Sequence, residues 1–108
     1  MASLVLEPQA LPGPRRDDLR IESVLQALSD PVRLLIVRTL AETPGSERAC
    51  GTFGLPVGKS TASQHFGVLR EAGVVDQRLL GRQRLTKLRR DDLDARFPGL
   101  LDSVVSAV

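Results

Sequence analysis

Residues 54–61, GLPVGKST, have the residue types of a loop that binds phosphate. In nucleotide-binding loops of this kind, backbone amides surround the phosphates and a Lys reaches the terminal phosphate groups. That motif has four residues between its first Gly and the Gly-Lys pair, whereas three residues separate Gly54 from Gly58 here. The phosphate could therefore belong to a nucleotide or to the backbone of DNA, and the choice depends on the elements around the motif.

Positive charge is concentrated in the segment that begins with this motif. Residues 58–90 hold eight basic and two acidic side chains, a local net charge of +6, while the rest of the chain holds seven basic and eleven acidic ones, a local −4. This asymmetry indicates an anionic partner, with a solvated basic face as the alternative. The chain has three Phe and no Tyr or Trp, which disfavours RNA-binding modules and single-strand channels that stack bases on aromatic rings.

Few residues are available for metal, disulfide or catalytic chemistry. Cys50 and His65 are the only Cys and His, so an internal disulfide is impossible and neither a metal nor a cofactor is expected. No plausible nucleophile and base pair occurs, so we do not expect an enzyme. The sequence lacks a secretory signal and has no apolar run near the roughly 20 residues that span a bilayer, which predicts a cytoplasmic protein without membrane contact.

The spacing of apolar residues predicts a mainly α fold with a small β-hairpin (α+β). Residues 1–14 contain three Pro and predict a flexible N-terminal arm, and residues 15–108 predict a single domain. The predicted elements of this domain are helices over residues 16–28, 31–42, 59–72 and from Pro98 onward, a weak short helix over residues 46–54, and a basic hairpin over residues 75–88.

The predicted helix over residues 59–72 has an unusual exposed face. Ala62, Phe66 and Leu69 have the spacing of a buried stripe. The opposite face carries only small or polar uncharged residues at positions i, i+3, i+4 and i+7, namely Ser60, Ser63, Gln64 and Gly67. A solvated helix face usually carries pairs of Glu and Lys. The pattern therefore predicts that this face lies close against another molecule.

The order of these elements resembles the ArsR/SmtB family of dimeric winged helix-turn-helix repressors. Three pieces between about residues 20 and 90 carry the resemblance: ALSDPVRLLIVRTL, KSTASQHFGVLREAGVV and the basic hairpin. The second is the most specific, because it is similar to the recognition helix of that family, although Phe66 and Val74 stand where Leu is usual. A nucleotide-binding loop should instead follow a buried strand, and residues 47–53 (ERACGTF) have no such character.

The resemblance implies a sequence-specific regulator of transcription, with double-stranded DNA as the partner. The recognition helix 59–72 would enter the major groove, and the wing 75–88 would contact flanking phosphates or the minor groove. Gln64 would pair with adenine, and Gly67 would let the helix approach a groove wall. The candidate DNA-binding residues are Lys59, Ser60, Thr61, Ser63, Gln64, Arg78, Arg82 and Arg84. The alternative is a winged-helix module that binds another protein without specific DNA readout.

The resemblance also implies a homodimer on a palindromic operator, with the first and last helices at the interface. The candidate residues for the interface or the adjacent core are Ile21, Val24, Leu25, Leu101, Val104 and Val105. Packing within one chain is the alternative for each of them. The effector is unknown from the sequence: Cys50 is a candidate redox sensor, with a buried and unreactive thiol as the alternative. For His65 we expect a half-buried structural role rather than metal binding.

Overall fold

Three helices form the centre of the molecule: α1 (Ile21–Ala27), α2 (Pro31–Ala41) and α3 (Lys59–Ala72). The computed structural model describes residues 7–108. Within this range the chain also forms α4 (Arg90–Arg96) and α5 (Leu100–Ser106), and four strands, β1 (Gln9–Ala10), β2 (Arg48–Ala49), β3 (Val75–Leu80) and β4 (Gln83–Leu88). This mainly helical α+β architecture confirms the predicted fold class.

The four strands form one antiparallel sheet in the order β1-β3-β4-β2. The β3–β4 hairpin supplies its two long strands, with Leu80 opposite Gln83 at the turn. Gly81 has φ +62°, a left-handed conformation that Gly adopts without the penalty of a Cβ. The predicted hairpin over residues 75–88 is confirmed, and each of its edges carries a two-residue strand that the sequence does not signal.

Local sequence signals position the helices around a shared core. The Asp30 carboxylate caps α2 by accepting hydrogen bonds from the amides of Val32 and Arg33 at 2.8 and 3.1 Å, and Pro31 fills the first helical position. The α3 helix ends at Gly73, which is left-handed with φ +84°. The large apolar side chains that are almost fully buried between the helices and the sheet are Phe66, Ile36, Leu69, Leu93, Leu101, Val24, Val37, Val74 and Val75.

The first helix is shorter than the predicted range of residues 16–28. Residues Arg16–Asp18 form a single 3₁₀ turn, Leu19 and Arg20 are extended, and α1 begins at Ile21. The cause is tertiary, because Leu19 is 2% exposed and occupies the space beside Gly73 where a Cβ would stand. Burial of Leu19 therefore outweighs the helical periodicity before Ile21.

The prediction of a weak short helix over residues 46–54 is wrong. Arg48–Ala49 form β2, which pairs with Thr86 and Leu85 of β4, and only Cys50–Thr52 form a 3₁₀ turn. Two glycines in this segment weaken a helix, and the open edge of β4 offers backbone hydrogen bonds instead.

The described part of the predicted N-terminal arm lies against the domain. Gln9 and Ala10 pair with Leu79 and Arg78 of β3. Further along, the carbonyl oxygens of Pro12 and Pro14 accept hydrogen bonds from distant Arg side chains. A paired backbone and the two Arg partners thus hold residues 9–14 against the domain, and the flexibility expected for residues 1–14 stays a prediction. Residues 1–6 of that arm lie outside the described residues.

Candidate nucleic-acid interface

The α3 helix presents the uncharged face that its sequence predicts. Phe66 and Leu69 are buried, at 2% and 0% exposure, and the Phe66 ring meets the Phe53 ring edge to face with 5.1 Å between centroids. The polar positions of the first two turns are all exposed, namely Lys59, Ser60, Thr61, Ser63 and Gln64. At Gly67, a Cβ would have no heavy atom within 4 Å. The whole predicted face is therefore accessible to a partner molecule.

The start of α3 leaves backbone donors free. Gly58 is the N-cap residue, and among residues 7–108 no side chain caps the first turn with a hydrogen bond. The amides at a helix start carry a partial positive charge from the helix dipole and favour an anion. Lys59, at the first helical position, adds a full charge to the same end.

The two faces of the β3–β4 hairpin differ in chemistry. Its inner face carries Gln77 and Thr86, which are 3% and 0% exposed and lie opposite each other. Arg84, two residues before Thr86 on β4, belongs to this inner face and is half-buried. Arg78 and Lys87 alternate with those residues and belong to the outer face. The predicted basic wing thus divides its charges between two sides.

The structure brings three predicted DNA-binding cations together around one cavity. The cavity has a volume of about 620 Å³ and lies between α3, the hairpin and residues 50–57. Lys59 and Ser63 of α3 line one side, and Arg82 and Arg84 of the hairpin line another. None of the three cations forms an ion pair within residues 7–108. Their charge is therefore available to an external anion.

Arg78 lies apart from this group. Its guanidinium donates two hydrogen bonds to the Glu47 carboxylate, at 2.6 and 2.5 Å, on the outer face of the hairpin. This fork-shaped pairing joins β3 to the residue before β2. Arg78, which the sequence predicts to contact DNA, thus has Glu47 as an internal anionic partner.

Other basic residues of the charged segment are also engaged internally. Arg89, with a side chain only 6% exposed, donates to Asp92 at 2.9 Å and to the Pro14 carbonyl at 2.6 Å. Burial raises the pKa of the Asp92 carboxyl, but hydrogen bonds from Arg16 and Arg89 outweigh that effect, and the pKa is lowered. Arg70 donates to Gln77 at 3.1 Å and to the Pro12 carbonyl at 2.7 Å. These charges hold the N-terminal segment in place.

Cys50 is half-buried at the edge of the cavity. Its Sγ lies 3.1 Å from Thr86 Oγ1 and 3.4 Å from Gln77 Nε2. The thiol is therefore neither fully enclosed nor fully exposed, and its role as a redox sensor stays a prediction.

His65 connects α3 to α2 through two polar neighbours. Arg33 Nη1 lies 3.1 Å from His65 Nδ1, and Asp30 Oδ2 lies 3.7 Å from the same nitrogen. The His65 side chain is 16% exposed, in agreement with the half-buried structural role that we expect for it. The hydrogen bond from the Arg33 amide is the largest cause of a lowered pKa at Asp30, which burial opposes and the Val32 amide supports.

The predicted interface residues fall into two groups. Val24 and Leu101 are 0% and 1% exposed within a single chain, so they belong to the core beside the expected interface. Ile21 and Leu25 are 41% and 48% exposed, while Val104 and Val105 are partly buried at the core edge. The second group is the one with surface available to a partner chain.

Within residues 7–108, no three His, Cys, Asp or Glu side chains are placed to share a metal ion. No helix in that range is long and apolar enough to cross a membrane.

Sequence reasoning missed the partners that decide what each cation does. Glu47 and the carbonyl of Pro14 are far along the chain from Arg78 and Arg89, so no local spacing signals these pairs. The apolar lining of the cavity was missed too, since its residues come from three separate elements. Strand alternation was the one usable signal, because it separates Arg84 from Arg78.

Comparison with known proteins identifies the family. A family model for the bacterial regulatory proteins of the arsR family matches residues 30–77. The uncharacterised HTH-type transcriptional regulator YceK of Bacillus subtilis is 40% identical over 90 residues, a match covering 82% of this chain and 89% of that protein. The chain belongs to the ArsR family. Its expected resemblance to that family is thereby confirmed.

One curated relative of this ArsR-family protein and one similar crystal structure are named as repressors. The biofilm growth-associated repressor of Xylella fastidiosa is 35% identical over 80 residues, covering 68% of each chain. The crystal structure of the transcriptional repressor BigR from Xylella fastidiosa is similar with a TM-score of 0.62 and 32% identity, covering 81% of this chain and 84% of that one. The chain is a DNA-binding transcriptional regulator with a winged helix-turn-helix fold, and not an enzyme.

Proposed function

We propose that this ArsR-family protein is a homodimeric repressor that binds a palindromic operator, with α3 in the major groove. Repression is supported by the names of its relatives, which are repressors. The observation that carries the proposal is the accessible uncharged face of α3 beside three cations without an ion-pair partner in the described range 7–108. Because bacterial DNA lies in the cytoplasm, we propose that the protein acts there.

The α3 face is suited to reading base edges. Gln64 and Ser63 are exposed polar side chains one turn into the helix, where recognition helices contact bases. The Gln64 amide has the donor and acceptor needed for a bidentate contact to adenine. Gly67 leaves space for a groove wall along the same face. Ser60 adds a hydroxyl near the helix start, and Thr61 supports the backbone contact there.

The phosphate contacts come from the helix start and the inner side of the wing. Lys59, Arg82 and Arg84 surround one opening and lack ion-pair partners within residues 7–108. The uncapped amides of the first α3 turn add to the same positive region. For Arg78 we propose a mainly structural role, since its ion pair with Glu47 must break before it can hold a phosphate.

The dimer is proposed from exposed apolar surface and family membership. Ile21 and Leu25 expose large aliphatic side chains on one side of α1, and Val108, two residues after the end of α5, is 44% exposed. Exposed apolar residues on the same turn-to-turn spacing mark a surface that gains from burial. Sedimentation of the full chain at micromolar concentration should give a dimer, and a monomer there would contradict this part of the proposal.

The salt dependence of DNA binding tests the assignment of cations. Counting all eight basic residues of 58–90 gives sixteen per dimer and a log–log slope of about −14. Counting only Lys59, Arg82 and Arg84 gives six per dimer and a slope of about −5. We expect the smaller value, measured on duplexes selected by the protein from a random pool.

Two variants of one strand provide the matched comparison. Arg84→Ala should reduce the magnitude of the slope by about 2, because a dimer loses two contacts. Lys87→Ala removes a charge from the outer face of the same strand and should change the slope by less than half as much. Equal effects of both changes would contradict the face assignment. Failure to retain duplex DNA at low salt would favour the alternative function, a protein-binding module.

A further inference from the structure

The cavity between α3, the hairpin and residues 50–57 has the properties of a small-molecule site. Its volume of about 620 Å³ lies within the range of roughly 300–1,000 Å³ that is typical of ligand pockets. Five apolar side chains from three parts of the chain line it, namely Leu55, Val57, Ala62, Phe66 and Leu79. A DNA backbone alone has no use for such an apolar lining, because phosphate and sugar oxygens prefer polar contacts.

The charged side chains that line the cavity are all positive. Lys59, Arg82 and Arg84 line it, and no Asp or Glu from the described part of the chain does. Arg78, Arg89 and Arg90 instead have carboxylate partners. An uncompensated cluster of three cations favours an anion, and a guanidinium matches a carboxylate with two parallel hydrogen bonds. The cavity thus combines an apolar wall with an anion-binding rim.

We propose that this cavity binds a small organic anion with an apolar body, of the chemical class of medium-chain carboxylates. The carboxylate contacts Arg82 and Arg84, and the hydrocarbon chain packs on Phe66 and Leu79. Occupation of the cavity neutralises cations that the proposed DNA complex uses. The ligand therefore competes with DNA and acts as an inducer, a second step that depends on the proposed function.

Binding to the free protein is tested without DNA, by isothermal titration calorimetry. The probes are decanoate, acetate, decanol and decyltrimethylammonium, all below their micelle concentrations. We expect decanoate to bind at least tenfold more tightly than acetate, which lacks the apolar body, and than decanol and the cation, which lack the anionic head. Equal binding of decanoate and decanol, or no binding of decanoate, would overturn the proposal.

Variants on the two faces of the hairpin locate the site. Arg84→Ala should weaken decanoate binding at least tenfold, and Arg82→Ala, at an exposed turn position, should weaken it in the same direction. Lys87→Ala, on the outer face of the strand that holds Arg84, should bind decanoate like the wild type. If Lys87→Ala and Arg84→Ala behave alike, decanoate binds elsewhere and the proposal fails.

The competition step is tested with the selected duplex. Decanoate should release the protein from DNA, with an apparent affinity that falls as the duplex concentration rises. A complex that holds decanoate and DNA together would overturn the inducer role. Decanoate binding without any DNA binding would support the cavity as an anion site and contradict the proposed function. DNA binding without decanoate binding would support the proposed function and contradict the cavity as an anion site.

Discussion

Replacing Gly67 by Ala separates the stability of α3 from its DNA contact. Gly67 lies in the interior of α3, where Gly is about 1 kcal/mol less favourable than Ala. A Cβ at this position would meet no heavy atom within 4 Å, so the methyl group fits without strain. Gly67→Ala should therefore raise the free energy of unfolding by about 1 kcal/mol, and the melting temperature by roughly 4 °C.

DNA binding should change in the opposite direction. If the α3 face lies against a groove wall, the added methyl group pushes the helix outward and lengthens the contacts of Ser63 and Gln64. We expect at least a tenfold loss of affinity, about 1.4 kcal/mol, for the selected duplex. Thermal unfolding and fluorescence anisotropy with labelled duplex measure the two effects.

A matched variant shows whether stabilisation alone weakens binding. Ser103→Ala, at an exposed position of α5, should also stabilise its helix by a few tenths of a kcal/mol and leave DNA affinity unchanged. If the Gly67→Ala protein is more stable and binds DNA like the wild type, the α3 face does not lie close against a groove wall. If Gly67→Ala instead lowers the free energy of unfolding, a Cβ at position 67 does not fit without strain.

Two further substitutions test what holds the DNA-binding elements in place. Asp30→Ala should lower the free energy of unfolding by about 1 kcal/mol at pH 7, because two amide hydrogen bonds of the α2 cap are lost. Since the pKa of Asp30 is lowered in the folded state, this difference should persist above about pH 4 and vanish as the pH falls through the folded pKa. A pH-independent difference in urea titrations would contradict the capping role. Arg89→Ala should cost about 3 kcal/mol, because Asp92 and the Pro14 carbonyl lose a buried partner; a loss below 1 kcal/mol on chemical denaturation would show that the pair is dispensable.

The parts of the fold that the sequence predicts well are those whose ends are marked by local start and stop signals. The α3 helix begins and ends at the predicted residues 59 and 72, because Gly58 and Gly73 bound its apolar stripe. The hairpin follows from two strand-like runs around Gly81. In both cases the deciding interactions lie within a few residues of each other, so the sequence alone contains them.

The parts that escaped prediction depend on contacts between distant residues. Leu19 interrupts a helical pattern because it packs beside Gly73, more than fifty residues away. The pairing of Gln9–Ala10 with β3 follows from an open sheet edge that exists only in the folded chain. For the candidate site, the net charge of residues 58–90 overstates the positive charge that is available to DNA. Carboxylates outside that segment, such as Glu47, form ion pairs with some of its basic residues.

In the proposed complex, the polar side of α3 touches base edges while neighbouring cations hold the phosphates. The decisive measurement is the affinity of wild type, Gln64→Ala and Arg82→Ala for the selected operator and each of its single-base variants. Gln64→Ala should lose about 1–3 kcal/mol of discrimination at one base pair per half-site. Arg82→Ala should weaken binding to all sequences alike. A Gln64→Ala protein that ranks the variants as the wild type does would contradict the account.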